Sequence, residues 1–138
     1  MNNVSSSLKK DVIIIILIII VFLAVALVFY TEILKNRKIS DSKKNYTFVL
    51  AELLNEIDKC KEKEQSLFFD ISCKQRPVKK NISDYFNNNK KLKNPYDGQE
   101  GMVGNPGSVQ IEIKDKLIIL SIDIDANGGI DIEDIIKY

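Results

Sequence analysis

The sequence predicts an α+β protein in which one long N-terminal helix, half in a membrane and half amphipathic, packs on a small antiparallel β-sheet. Three patterns carry this prediction: an uncharged apolar block over residues 12–30, an apolar stripe at helical spacing over residues 46–60, and alternating apolar and polar residues over 109–114. With 138 residues, the chain is long enough for one ordinary domain and too short for two.

The apolar block predicts a transmembrane helix. A helix over its 19 residues is about 29 Å long, close to the roughly 30 Å hydrocarbon core of a bilayer. Residues 1–11 then form a leader-like segment on the cytoplasmic side. A cleaved secretory signal is the alternative, because Lys9 and Lys10 precede the block and residues 24–26 (AVA) have the small-x-small pattern of a cleavage site. The apolar run continues past that site, which favours a retained anchor.

Residues 31–63 are predicted to continue the helix as an amphipathic segment. Its apolar stripe has spacings of 4, 3, 4 and 3 and consists of Tyr46, Leu50, Leu53, Ile57 and Cys60. Residues 40–42 (SDS) offer N-cap side chains, which leave a local break or restart open, but the prediction is one long helix from about Val12 to about Lys63. The stripe needs an apolar partner, which the remainder of the chain can supply.

Residues 64–138 are predicted to form loops followed by a small antiparallel sheet. Residues 94–98 (NPYDG) and 104–107 (GNPG) are turn signals, because Pro fixes φ and Gly or Asn accepts a positive φ. The alternation over residues 109–114 predicts a strand, and residues 117–124 predict the strand that returns after a turn. A third strand would make this hairpin stable enough to cover the helix stripe.

The composition excludes several classes of function. The chain has no histidine, which removes the usual general base, the imidazole-dependent triads and the His-containing zinc sites. Its carboxylates form no recognisable acid–base pair, so a non-enzymatic protein is predicted. A net charge of +1 lacks the basic excess of a nucleic-acid binder, and no nucleic-acid partner is expected.

The charge is divided along the chain. Residues 31–93 carry 15 basic and 9 acidic side chains, a net charge of +6, whereas residues 94–138 carry 3 basic and 9 acidic ones, a net charge of −6. Opposed regions of this kind pair either within one copy or between neighbouring copies, and the sequence leaves both arrangements open.

The two cysteines bear on the topology. Cys60 and Cys73 are separated by twelve residues, and a pair in a short exported domain predicts a disulfide bond. Two free thiols in a cytoplasmic domain are the alternative. The basic residues that follow the apolar block, Lys35 and Arg37 among them, favour a cytoplasmic C-terminal side by the positive-inside rule. The cysteines and the basic residues thus point to opposite sides of the membrane. The prediction follows the cysteines: a single-pass protein of the inner (cell) membrane with its C-terminal domain outside the cytoplasm.

Residues 123–134 have the spacing of an EF-hand-type calcium loop, and calcium is the predicted cofactor. The predicted ligands occupy positions 1, 3, 5, 7, 9 and 12 and are Asp123, Asp125, Asn127, the backbone carbonyl of Gly129, Asp131 and Asp134. Ile130 takes the apolar position that contacts a core. A plain β-hairpin, with Asn127-Gly128 as a two-residue turn, is the alternative.

The order of these elements resembles that of type IV pilins and type II secretion pseudopilins. Residues 94–96 (NPY) are similar to the Asn-Pro-Tyr turn that precedes the sheet in many members. The chain departs from the family between Leu8 and Ile16, which contain neither the Gly before the mature apolar segment nor the Glu five residues into it. The resemblance is therefore to a divergent member. It implies a structural subunit that associates with itself or with other pilin-like subunits through the N-terminal helix.

A second function fits the same residues. A monomeric, membrane-anchored binding module outside the cytoplasm would recognise a ligand or a partner in the cell envelope through the sheet and the acidic loop.

Overall fold

The computed structural model describes residues 3–62, 67–69 and 71–138 and confirms an α+β arrangement. The helices are α1 (Asn3–Lys61) and α2 (Lys79–Asp84), and a short π-helix at Tyr85–Asn89 directly follows α2. The strands are β1 (Leu67–Phe68), β2 (Ile71–Ser72), β3 (Val109–Lys114), β4 (Leu117–Ile122) and β5 (Ile132–Lys137). The chain divides into two compact units, Met1–Asn36 and Arg37–Tyr138.

In the first unit, the apolar block is helical throughout. The large apolar side chains from Val12 to Tyr30 are exposed, as they are in a helix that faces lipid or other helices. The helix is long and apolar enough to cross a membrane.

The single long helix predicted from the sequence is confirmed, because α1 is continuous through residues 40–42, without the local break that their N-cap side chains left open. Asp41 accepts a hydrogen bond from Lys44 Nζ at 3.0 Å, one turn further along the helix. Ser42 is buried in the second unit. Packing of the surrounding residues overrides the local preference of these side chains for a cap.

The core of the second unit lies between the amphipathic part of α1 and the sheet. Tyr46, Leu53 and Ile57 of the predicted stripe are buried, and Val49 joins them, while Leu50 and Cys60 lie at the margin. The sheet contributes inward-facing side chains to the same cluster: Val109, Ile111, Ile118, Leu120, Ile122 and Ile136. Each fully buried apolar side chain stabilises the fold by about 1.5–3 kcal/mol relative to exposure.

The sheet is antiparallel with the order β3-β4-β5. The β3–β4 hairpin has Val109 opposite Ile122 and Lys114 opposite Leu117, and the alternation along β3 and β4 places one face of each strand in the core, as predicted. β5 is the third strand, with Ile122 opposite Ile132. The proposed two-residue turn at Asn127-Gly128 is therefore wrong, because residues 123–131 all lie between the paired strands.

The connection between α1 and the sheet carries an aromatic cluster. Phe69 lies 4.8 Å from Tyr85 and 5.6 Å from Phe86 between ring centroids. Phe68, Phe69 and Phe86 are buried in the core. These rings fix β1, β2 and the π-helix against the amphipathic part of α1.

Candidate functional site

The exposed apolar surface of the first unit is the first candidate. It runs over residues 12–30, and its most exposed large side chain is Phe22, at 72%. A contiguous apolar surface of this length marks contact with lipid or with other proteins. The transmembrane prediction of the sequence rests on these same residues.

The loop between β4 and β5 is the second candidate. One carboxylate oxygen from each of Asp123, Asp125 and Asp131 lies within 4.8 Å of the other two. Backbone amides of the loop hold them there: Asn127 N–H donates to Asp123 Oδ1 at 3.1 Å, and Ile124 N–H donates to Asp131 Oδ2 at 2.8 Å. These three predicted ligands are thus brought together by the fold of the loop.

Asn127 closes the loop around these carboxylates. Its side-chain amide donates to Asp125 Oδ2 at 2.9 Å, and its Oδ1 accepts from Gly129 N–H at 2.8 Å. Gly128 has a φ of +94°, which an L side chain rarely adopts. Ile130, predicted to contact a core, is exposed.

Asp134 lies apart from the three grouped carboxylates. It belongs to β5, opposite Leu120, and accepts a hydrogen bond from the Tyr46 hydroxyl at 2.7 Å. The Tyr46 oxygen also lies 3.0 Å from the Leu120 carbonyl oxygen. Burial, and then the bond to Asp134 and its charge, raise the pKa of Tyr46 well above its usual range. Asp134 therefore ties the sheet to α1.

Tyr96 supports the acidic loop from the Asn-Pro-Tyr turn. Its hydroxyl donates to the Ile124 carbonyl at 2.7 Å, and Lys38 Nζ lies 5.5 Å from its ring centroid. Burial raises the pKa of Tyr96, and the charges of Asp125, Asp123 and Asp131 raise it further. The sequence marked this segment as a turn but carried no signal that its tyrosine reaches the loop 28 residues later.

Asn94 fixes the same turn from inside. It is 1% exposed, its side-chain amide donates to the Pro106 carbonyl at 3.0 Å, and its Oδ1 accepts from Tyr96 N–H at 2.9 Å. A Cβ at Gly107 would lie 2.5 Å from the Tyr96 ring, so the Gly-rich turn and the tyrosine fit closely together. The two predicted turns, residues 94–98 and 104–107, thus pack directly against each other.

The predicted disulfide is present. Cys60, in the last turn of α1, is bonded to Cys73 directly after β2, with 5.5 Å between the Cα atoms. The bond ties the end of the long helix to the segment that follows β2.

The basic and acidic regions do not pair through the loop. Within the described ranges, no Lys or Arg nitrogen forms an ion pair with Asp123, Asp125 or Asp131; the ion pairs are Lys44–Asp41, Lys59–Glu56, Lys90–Glu52 and Lys114–Glu112. The acidic loop therefore remains available to a cation or a basic partner.

These features define a class of protein: an α+β domain on a helix that can cross a membrane, with an acidic loop at one end of its sheet. Comparison of the chain with protein-family models, with curated proteins and with solved structures finds no match.

Proposed function

We propose that the chain is a pilin-like, membrane-anchored structural subunit of a type IV pilus or of a type II secretion-type filament. One observation carries the proposal: a single helix, α1, is apolar and exposed over residues 12–30 and is then packed beneath an antiparallel sheet by its amphipathic part. In this proposal the chain is non-enzymatic, and residues 12–30 anchor it in the inner membrane with the sheet outside the cytoplasm.

The exposed helix supports assembly through its own surface. Helices in lipid associate by close packing of side chains and not by the hydrophobic effect, so an all-apolar surface serves both as an anchor and as a contact for neighbours. The partners in this proposal are other copies of the chain or other pilin-like subunits. Within the part of the chain that the structure describes, the acidic loop forms no ion pair, which leaves its charge for neighbouring basic surfaces.

Photo-crosslinking in intact membranes tests assembly through the helix. A photoreactive amino acid replaces Phe22, and in a matched control it replaces Lys116, an exposed residue in the turn between β3 and β4. The expected result is a ladder of oligomers from position 22, much stronger than from position 116. A single monomer band from both positions contradicts the proposal.

The second candidate function is a monomeric, membrane-anchored binding module whose acidic loop takes calcium. The grouping of Asp123, Asp125 and Asp131 favours it, because calcium prefers several carboxylate and carbonyl oxygens. Asn127 and the Gly129 carbonyl complete the proposed ligand set, and Asp134 is left with Tyr46.

Calorimetric titration of the full chain with calcium tests this candidate. Binding heat at millimolar calcium or below is expected, with its loss in Asp125→Asn. Glu112→Gln, on the exposed face of β3, serves as a charge-matched control, and Asp134→Asn is expected to retain the heat. If the unaltered chain shows neither heat nor thermal stabilisation, the loop is not a calcium site.

A further inference from the structure

Among the described residues, no strand pairs with the outer edge of β5. The opposite edge of the sheet is occupied: Val109 of β3 bonds to Gly101 and Val103, and Arg76 donates to the Ile113 carbonyl at 3.4 Å. β5 pairs with β4 on one side, and no other described strand lies on its second side. An exposed strand edge is a template for another strand.

The register identifies which residues of β5 present their backbone to that edge. Leu117 is opposite Lys137, so Lys116 is opposite Tyr138, and Tyr138 N–H donates to the Lys116 carbonyl at 3.2 Å. Hydrogen-bonded and non-hydrogen-bonded pairs alternate along an antiparallel ladder. The backbone N–H and C=O groups of Lys137 therefore point away from β4. Because the pattern repeats every two residues, the same holds for Ile135 and Glu133.

The side chains of the same three residues share the solvent face of the sheet. Asp134 and Ile136 face α1, so Glu133, Ile135 and Lys137 lie on the opposite face, and all three are exposed. Ile135 is 63% exposed. A large apolar side chain at the centre of an open strand edge gains by being covered.

These residues are self-complementary. Consider two β5 strands paired antiparallel about Ile135. Ile135 then lies opposite Ile135 of the second copy, and the two-fold symmetry gives two pairs of Glu133 with Lys137. All three pairs use the backbone groups that point away from β4, giving six inter-strand hydrogen bonds. The register that satisfies the backbone is thus the one that pairs opposite charges, and opposite charges across strands are stabilising.

We infer that β5 pairs with β5 of a second copy across a two-fold axis, joining two three-stranded sheets into one continuous sheet. The same patch on both copies makes the contact isologous and closed. Lys61 Nζ donates to the Lys137 carbonyl at 3.4 Å, and that carbonyl has a second lone pair for the incoming N–H. The pairing uses residues of the second unit alone, so its test is independent of the test of assembly through the apolar helix.

Disulfide trapping in the full chain tests the contact. Residues in a hydrogen-bonded antiparallel pair have Cα atoms about 5.5 Å apart, within the range for a disulfide. Ile135→Cys is therefore expected to give a covalent dimer on mild oxidation of membranes. Glu112→Cys is the matched control, because Glu112, Ile119 and Ile135 lie in one row across the sheet. Its symmetry mate would be five strand spacings away, roughly 24 Å, so no dimer is expected.

Charge reversal then tests the register. In the Ile135→Cys background, Glu133→Lys or Lys137→Glu alone is expected to abolish most of the dimer band, because like charges then face each other. A mixture of the two single variants, and the double exchange in one chain, are both expected to restore it. Mass mapping of the Cys60–Cys73 bond in each variant reports that the fold is intact. Equal dimer yields from positions 135 and 112, or a yield insensitive to charge reversal, would overturn the inference.

Discussion

At the scale of single residues, the most important contacts join side chains that are far apart in the sequence, and the sequence does not predict them. The helical stripe placed Tyr46 in the core, and the loop spacing placed Asp134 among the calcium ligands, but nothing along the chain indicated that the two residues meet. Their bond spans 88 positions and depends on the register of β5 on β4. Spacing predicts neighbours along a helix or a loop, whereas this contact is set by packing between elements.

Tyr46→Phe is expected to destabilise the domain by about 1–3 kcal/mol, because it leaves the partly buried Asp134 without its donor. Tyr138→Phe is the control, since the Tyr138 hydroxyl donates to the Asp115 carbonyl in an exposed position. Its effect should remain within about 0.5 kcal/mol. Urea denaturation of the detergent-solubilised chain measures both, and equal losses would contradict the assigned role of the bond.

The same variant should change the alkaline pH dependence of stability. Burial and the bond to Asp134 raise the pKa of Tyr46 in the folded state above its ordinary value of 10.0, so the unfolded state releases this proton first as the pH rises. The protonated Tyr46 hydroxyl contributes its full share to the free energy of unfolding below pH 10.0. This contribution declines as the pH rises from 10.0 towards the folded-state pKa. The unaltered chain should therefore lose stability relative to Tyr46→Phe above pH 10.0; parallel curves would contradict this assignment.

Asn94→Ala is expected to cost about 1–3 kcal/mol, because the Pro106 carbonyl and the Tyr96 N–H then lose their buried partner. Asn105→Ala removes an exposed bond to Asp97 in the neighbouring turn and should change stability by less than about 0.5 kcal/mol. Thermal unfolding followed by near-ultraviolet circular dichroism compares the two. A larger loss for Asn105→Ala would mean that Asn94 does not organise the turn.

At the scale of elements, periodicity predicted the amphipathic part of α1 and strand β3 well because each has one face in the core. The spacing of Tyr46, Leu53 and Ile57 and the alternation along β3 are direct traces of that burial. The β4–β5 loop was harder to predict, since Asn127-Gly128 fits a tight turn as well as a wide one. Only the pairing of Ile122 with Ile132 shows that the turn is wide.

Leu53→Ala is expected to destabilise the domain by about 2–5 kcal/mol, because it opens a cavity between α1 and the sheet. Leu54 provides a matched control on the same helix: Leu53 is 0% exposed, and Leu54 is 42% exposed. Chemical denaturation of both variants should separate them clearly. Similar losses at the two positions would show that the amphipathic stripe does not face the sheet.

Removal of the Cys60–Cys73 bond should cost about 3 kcal/mol by the chain-entropy estimate for a loop of this size. The Cys60→Ser, Cys73→Ser double variant and the reduced chain should have similarly lowered melting temperatures, measured by differential scanning calorimetry. A reducing agent should leave the double variant unchanged. An unaltered chain whose melting temperature does not respond to reduction would contradict a stabilising bond.

At the scale of the whole molecule, two signals assign the C-terminal domain to opposite sides of a membrane. Lys35, Arg37 and Lys38 follow the apolar segment, which by charge alone favours the cytoplasm. The bonded cysteines favour an oxidising compartment. We give the disulfide more weight, because it is built into the fold of the domain at the end of α1.

The central claim is a domain anchored by residues 12–30 and held outside the cytoplasm. Full-length chains fused at the C-terminus to alkaline phosphatase or to a cytoplasm-dependent fluorescent reporter test it most directly. We expect high phosphatase activity in the membrane fraction and no fluorescence. Fluorescence with an inactive phosphatase, or an active phosphatase released from membranes by alkaline washing, would contradict it.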